Sequence, residues 1–141
     1  MLRKIALCAV LLGFTVFAAP AHADKKYHVL FQWTEADTIG QFVMTKHINN
    51  LLDDLGQDNV QLEVIAYGAA VTAIDKTNKA CFHQKDFTQM TSRGVVFHAC
   101  SHAMDFFGVK KENLVPEVTP VQGAMMYIVT KHSEGWQILR P

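Results

Sequence analysis

The sequence predicts an α/β domain with a mostly parallel sheet and helices on both faces. β-Rich apolar runs alternate with stretches whose apolar residues recur at helical spacing, the pattern of strand–helix–strand units. Capping residues and glycines fall at the joins between them. A third observation fits the same plan. The apolar strand within Gly94-Val95-Val96-Phe97-His98-Ala99-Cys100-Ser101-His102 runs directly into a cysteine, at the carboxyl end where open α/β sheets place their ligands.

Tyr27 to Trp33 reads as the first strand, and Thr34-Glu35-Ala36-Asp37 then offers helix-capping side chains. From Thr38 to Leu55, Ile39, Phe42, Val43, Ile48, Leu51, Leu52 and Leu55 recur at helical spacing opposite Lys46, Asn50, Asp53 and Asp54, and Gly56 ends the helix. Val60 to Ala66 is the second strand, closed by Tyr67-Gly68, and a short helix is expected over Ala70 to Lys76. Thr77 to Phe82 reads as a loop, Gln84 to Arg93 as a helix, and Val95 to Ala99 as the third strand. Lys110 to Leu114 suits a turn of helix, and Glu117 to Val121 a fourth strand whose Pro120 marks an end or an edge. Gly123 to His132 is the last helix and Trp136 to Leu139 the final strand. The block Ala124-Met125-Met126-Tyr127-Ile128-Val129 is apolar all round, so this helix needs cover on more than one side, and in so small a domain a second subunit is the favoured cover.

The first 23 residues read as an export signal: Arg3-Lys4, an apolar run from Ile5 to Phe17, and a small-x-small cleavage site at Ala21-His22-Ala23. The run is short for a span of roughly 20 residues and breaks at Pro20, and Cys8 lies too early for a lipid-modified first residue. Residues 24–141 are then the mature protein, one compact domain expected in a bacterial periplasm with no membrane attachment. Lys+Arg and Asp+Glu are equal at 13 each, and losing Arg3 and Lys4 leaves the mature surface slightly acidic, unlike a nucleic-acid-binding stripe.

Cys100 is the leading chemical candidate. Thr34, Glu35, Tyr67 and Gly68 arrive at the same crevice from two other strand ends, and Ser101 to Phe107 is expected to open a helix whose amide groups favour a thiolate. Glu35 reads as a solvated carboxylate at a helix start, with a general base as the sharper alternative. His98, Cys100 and His102 share a face if the strand continues, and Cys81-Phe82-His83 adds two more ligand types, a set suited to zinc or copper. The spacing matches no established zinc pattern. Met90, Met104, Met125 and Met126 sit at helical positions and read as packing. Cys81 has three readings: a disulfide partner of Cys100, a resolving thiol for an oxidised or persulfidated Cys100, or an unrelated loop cysteine.

The chain resembles the small DsrE/DsrF-like proteins of sulfur relay, in their exported single-domain branch, from about Tyr27 to Pro141. The resemblance rests on Leu55-Gly56-Gln57-Asp58-Asn59-Val60 leading into Glu63-Val64-Ile65-Ala66-Tyr67-Gly68, then Gly94-Val95 leading to Ala99-Cys100. Asn113-Leu114-Val115-Pro116, Gly123 and the ending Glu134-Gly135-Trp136-Gln137-Ile138-Leu139-Arg140-Pro141 complete it. It implies a three-layer α/β/α sandwich with a parallel five-stranded sheet, assembly into trimers or hexamers, and a persulfide-carrying cysteine after the third strand, the position of Cys100. Two departures flank the expected pocket: His102-Ala103 stands where the family has Asn-Thr, and Ala69-Ala70 where it has Pro-Gly. Cys81 lies outside that pattern.

The expected function is an exported carrier or sulfurtransferase that takes sulfane sulfur on Cys100 and exchanges it with donor and acceptor proteins or small molecules, without a cofactor. Export excludes delivery of sulfur toward tRNA. The rival expectation is a non-catalytic binding protein that holds zinc, copper or a small ligand through Cys100, His98 and His102.

Overall fold

The computed structural model describes residues 26–79 and 84–141; the segment expected to be an export signal, and Cys81 and His83, lie outside the described residues. Strand β1 spans Tyr27–Trp33, β2 Val60–Ala66, β3 Val96–Cys100, β4 Val118–Val121 and β5 Gln137–Leu139, and they pair in the order β4-β3-β2-β1-β5. Every pairing is parallel. Helix α1 covers Thr38–Leu55, α2 Gln84–Ser92, α3 Ser101–Phe107 and α4 Ala124–Ser133, the crossovers that parallel neighbours require. Pro120 falls in the edge strand β4, where a missing N–H costs no central ladder bond.

Alternation along the strands sorts side chains to two faces. Val29, Phe31, Trp33, Leu62, Val64, Phe97 and Ala99 join Met44, Ile48 and Leu52 of α1 and Phe87 and Met90 of α2 in the larger core. Phe87 sits at its centre, fully buried between Trp33 and Phe97 with ring centroids 6.3 and 4.9 Å away. On the opposite face Leu30, Ile65 and Cys100 meet Ala124 of α4 and Trp136 in a smaller cluster. The sandwich is therefore lopsided. Among the described residues, α4 lies over this second face with Ala103 of α3 at its border, and the outer side of α4 leaves Met125, Met126 and Val129 exposed.

Two local expectations need correction. Helix α1 does not bury Ile39 or Phe42, which are 75% and 63% exposed; it buries Gln41, Met44, Ile48 and Leu52. At about 100° per residue, a stripe through Met44, Ile48 and Leu52 puts Ile39 and Phe42 on nearly the opposite side. Gln41 turns inward because its Nε2 donates to the Ala36 carbonyl at 2.7 Å. The short helix after β2 is a 3₁₀ segment over Gly68–Ile74 rather than a helix over Ala70 to Lys76. Backbone bonds from Tyr67 N–H to Trp33 O and from Ala70 N–H to Thr34 O tie its start to the end of β1.

Asp37 caps α1, its carboxylate accepting from the Ile39 and Gly40 N–H groups at 2.9 Å. This closed first turn brings Glu35 against Gly40, where a Cβ would lie 2.5 Å from the Glu35 Cβ. Gly40→Ala is therefore expected to destabilise the protein by about 1 kcal/mol or more, since overpacking of about 1–3 kcal/mol exceeds the gain in helix propensity. Equilibrium denaturation with unchanged slope and a lower midpoint would bear this out; a raised midpoint would contradict it.

Candidate functional site

The parallel register sets Trp33, Ala66, Ala99 and Pro120 side by side, so the residues that follow them emerge along one edge of the sheet. Cys100 is the last residue of β3 and immediately precedes α3. Because Phe97 and Ala99 point to the larger core, His98 and Cys100 point to the α4 side. The thiol is free and buried, with the residue 6% exposed. Its Sγ accepts from the N–H of Ala124, the first residue of α4, at 3.3 Å. A donor at a helix N-terminus stabilises negative charge on the atom it meets.

Beside the sulfur lies a cavity of about 300 Å³, walled by Tyr67, Gly68, His102, Met125 and Met126. Gly123 keeps one wall thin: a Cβ there would touch the His102 ring at 3.5 Å. Of the sequence-derived candidates, Cys100, Tyr67, Gly68 and His102 thus come together. Ser101 faces a different cavity, with Asp105, Lys110 and Pro120. Glu35 borders a third, beside Trp33, Asp37 and Pro141. Thr34 reaches the shared edge through its carbonyl, but its hydroxyl donates to Glu35 Oε1 at 2.6 Å. That bond, against some opposing burial and with help from Arg140, holds the Glu35 carboxyl below its usual range. Met90 and Met104 are packing residues, while Met125 and Met126 are exposed wall residues of the cavity.

The strand does not continue past Cys100, so His98, Cys100 and His102 do not form one ligand face. His102 lies in the first turn of α3 and is exposed; His98 is half-buried in a different network. Among the described residues, no group of three or more His, Cys, Asp or Glu side chains is arranged to hold a metal ion.

The network around His98 centres on Glu63, a buried acid on β2. Lys131 Nζ lies 2.8 Å from Glu63 Oε1, the Tyr127 hydroxyl donates to Oε2, and His98 Nε2 lies 2.9 Å from the Tyr127 oxygen. With the phenol proton committed to Glu63, the Tyr127 oxygen must accept from His98, so His98 carries its proton on Nε2. Its Nδ1 is buried without a hydrogen-bond partner among the described residues. Burial pushes the Glu63 carboxyl up, but the bonds from His98, Lys131 and Tyr127 together with the Lys131 charge outweigh it and hold the group down to about 2. Burial, with the hydrogen bond and charge of Glu63, pushes the Tyr127 phenol well above its ordinary range. Lys131 also lies 3.9 Å above the Trp136 ring. Sequence reasoning missed this cluster. Its signal was an acid in the apolar run Val60 to Ala66, because a carboxylate on a central strand stays charged only with partners.

Solved structures share this architecture, among them these three. The protein MTH1491 from Methanobacterium thermoautotrophicum, described as of unknown function, is 30% identical, with a TM-score of 0.74 over 82% of this chain and 99% of its own. The ychN protein from E. coli is 16% identical, with a TM-score of 0.61 over 83% and 99% of the two chains. BT1422 from Bacteroides thetaiotaomicron, also of unknown function, is 20% identical, with a TM-score of 0.60 over 81% and 94%. No curated protein matches this chain. The DsrE/DsrF-like family model matches residues 25–141, the whole of the sheet with its crossovers and the Cys100 crevice, and the chain belongs to that family.

Proposed function

We propose that this protein is an exported sulfur carrier that holds sulfane sulfur as a persulfide on Cys100. Membership of the DsrE/DsrF-like family suggests a sulfur-relay type of protein. The observation that carries the finer reading is the free Cys100 thiol at a cavity mouth, with the Ala124 N–H directed at its sulfur. That N–H is a hydrogen-bond donor to the sulfur, and the thiolate is the form that attacks sulfane sulfur. With a persulfide donor R–S–SH, the Cys100 thiolate attacks the outer sulfur; the donor's S–S bond breaks, Cys100–S–SH forms and R–S⁻ leaves. With thiosulfate the leaving group is sulfite. Neither step needs an outside oxidant. Handing the outer sulfur to an acceptor thiolate regenerates the Cys100 thiolate.

The test is intact and peptide mass spectrometry of the mature chain, reduced and then incubated with thiosulfate or polysulfide. The expected result is one added sulfur atom, located on the peptide containing Cys100 and removed by reductant. No mass gain at Cys100 in fully reduced protein would sink the reading. A later loss of sulfide with formation of a Cys81–Cys100 disulfide would assign Cys81 the resolving role.

A further inference from the structure

We propose that Tyr127 is a positioning residue for Cys100: held between Glu63 and His98, it docks α4 so that the Ala124 N–H meets the Cys100 sulfur. The inference deepens the carrier reading and rests on Cys100 being its reactive group. Helix α4 has a small apolar footing, in which Ile128 and the Tyr127 ring are partly buried against the cluster of Leu30, Ile65, Cys100 and Trp136. Ala124 is its one buried side chain, and Met125, Met126 and Val129 are exposed. Polar tethers fix its placement further: Tyr127 and Lys131, one and two turns beyond Ala124, both end on Glu63. These residues lie on one side of the helix, because positions three and four apart are neighbours on its surface.

Of the two tethers, Tyr127 is the stiffer. Lys131 reaches Glu63 through a flexible stem that can follow a shifted helix. The Tyr127 ring has no such slack, and its oxygen is bonded on two sides, donating to Glu63 and accepting from His98 Nε2 at 2.9 Å. The bond it protects is easily lost. Ala124 N lies 3.3 Å from Sγ, so a lift or rotation of α4 by about 1 Å removes the donor.

Other groups around the thiol set its background. Tyr67, which follows β2, and His102 of α3 share its cavity, and His98 lies two residues back on the same strand face. The Lys131 charge is paired with Glu63. Removing the Tyr127 hydroxyl leaves Tyr67, His102 and the Lys131–Glu63 pair in place and takes from His98 Nε2 the oxygen it meets at 2.9 Å.

The experiment uses the full mature chain and follows the rate of Cys100 alkylation by iodoacetamide across pH, with thiolate ultraviolet absorbance measured against Cys100→Ser. Tyr127→Phe is expected to slow alkylation near neutral pH about fivefold and to move the profile to higher pH, the loss of one hydrogen bond to the reactive anion. Glu63→Gln, whose single amide oxygen still accepts from Tyr127 while the Lys131 charge loses its partner, is expected to keep the parent profile or move it to lower pH, opposite to Tyr127→Phe, since the tether survives. A Tyr127→Phe protein that melts lower but keeps the parent profile would overturn the inference and leave Tyr127 a purely structural residue. A Glu63→Gln profile displaced to higher pH as far as that of Tyr127→Phe would also overturn it, because the shift would then arise with the tether in place. A parent protein with no alkylatable thiolate at any accessible pH would sink the carrier reading itself, and this inference with it.

Discussion

Glu63→Ala is expected to lower the stability of the protein by about 3 kcal/mol at neutral pH, because it removes the shared partner of a buried ion pair and leaves the other members unpaired. Glu63 is 6% exposed on a central strand, and Lys131, Tyr127 and His98 all converge on its two oxygens. Without it, Lys131 must swing toward water and the Tyr127 phenol loses its acceptor in a cramped layer. Denaturant titration of both proteins checks the size of the effect; a loss within about 0.5 kcal/mol, the range of an ordinary surface substitution, would show that the network carries no net stability.

The same residue predicts how stability responds to acid. Its carboxyl sits at about 2 in the folded chain against an ordinary 4.5. A group whose folded value is depressed contributes stability that is fully present above its unfolded value and is lost as pH falls through the folded one. Here that window runs from 4.5 down to about 2, and the contribution is roughly 3 kcal/mol. The parent should therefore lose stability across this interval more steeply than Glu63→Ala, with the two curves converging at its acid end. Parallel curves would mean that Glu63 is not the group titrating there.

What the sequence discloses and what it withholds divide along physical lines. The first two strands and α1 have the bounds their patterns predict, since each is a long periodic run bounded by capping side chains or glycine. Cys100 at the end of β3 is legible for the same reason: a short apolar run points to its own carboxyl end. The facing of α1 is not. Apolar residues cover more than half its circumference, and the side that goes inward is decided by the Gln41 bond to Ala36 and the Met44, Ile48 and Leu52 stripe. The joining of His98 to Tyr127 and Glu63, instead of to Cys100 and His102, depends on pairing between residues 29 and 64 positions apart in the chain. No local pattern encodes such a contact. The presence of Glu63 in an apolar strand raises the question of a partner without naming one.

Cys100→Ser is expected to abolish sulfur loading while costing about 1 kcal/mol of stability, and that separation is what makes it decisive. The serine oxygen can still accept the Ala124 N–H that now meets Sγ, so the start of α4 keeps its anchor, whereas alanine would leave that donor unpaired. The remaining cost comes from placing a hydroxyl in the cluster of Leu30, Ile65, Ala124 and Trp136, where the sulfur packs as a small apolar atom. The chemistry, by contrast, goes entirely. A hydroxyl without a general base offers no anion near neutral pH, and an oxygen that attacked sulfane sulfur would not give the exchangeable S–S bond a carrier requires. Mass spectrometry after donor treatment, paired with denaturation of the same sample, reads both effects. A folded Cys100→Ser protein that still gains sulfur would move the acceptor to another cysteine, with Cys81 the first to test, and a Cys81→Ser partner variant would then lose the gain. A parent and a serine variant that load equally little would leave Cys100 as a buried packing residue, with the cavity beside it serving some chemistry other than sulfur transfer.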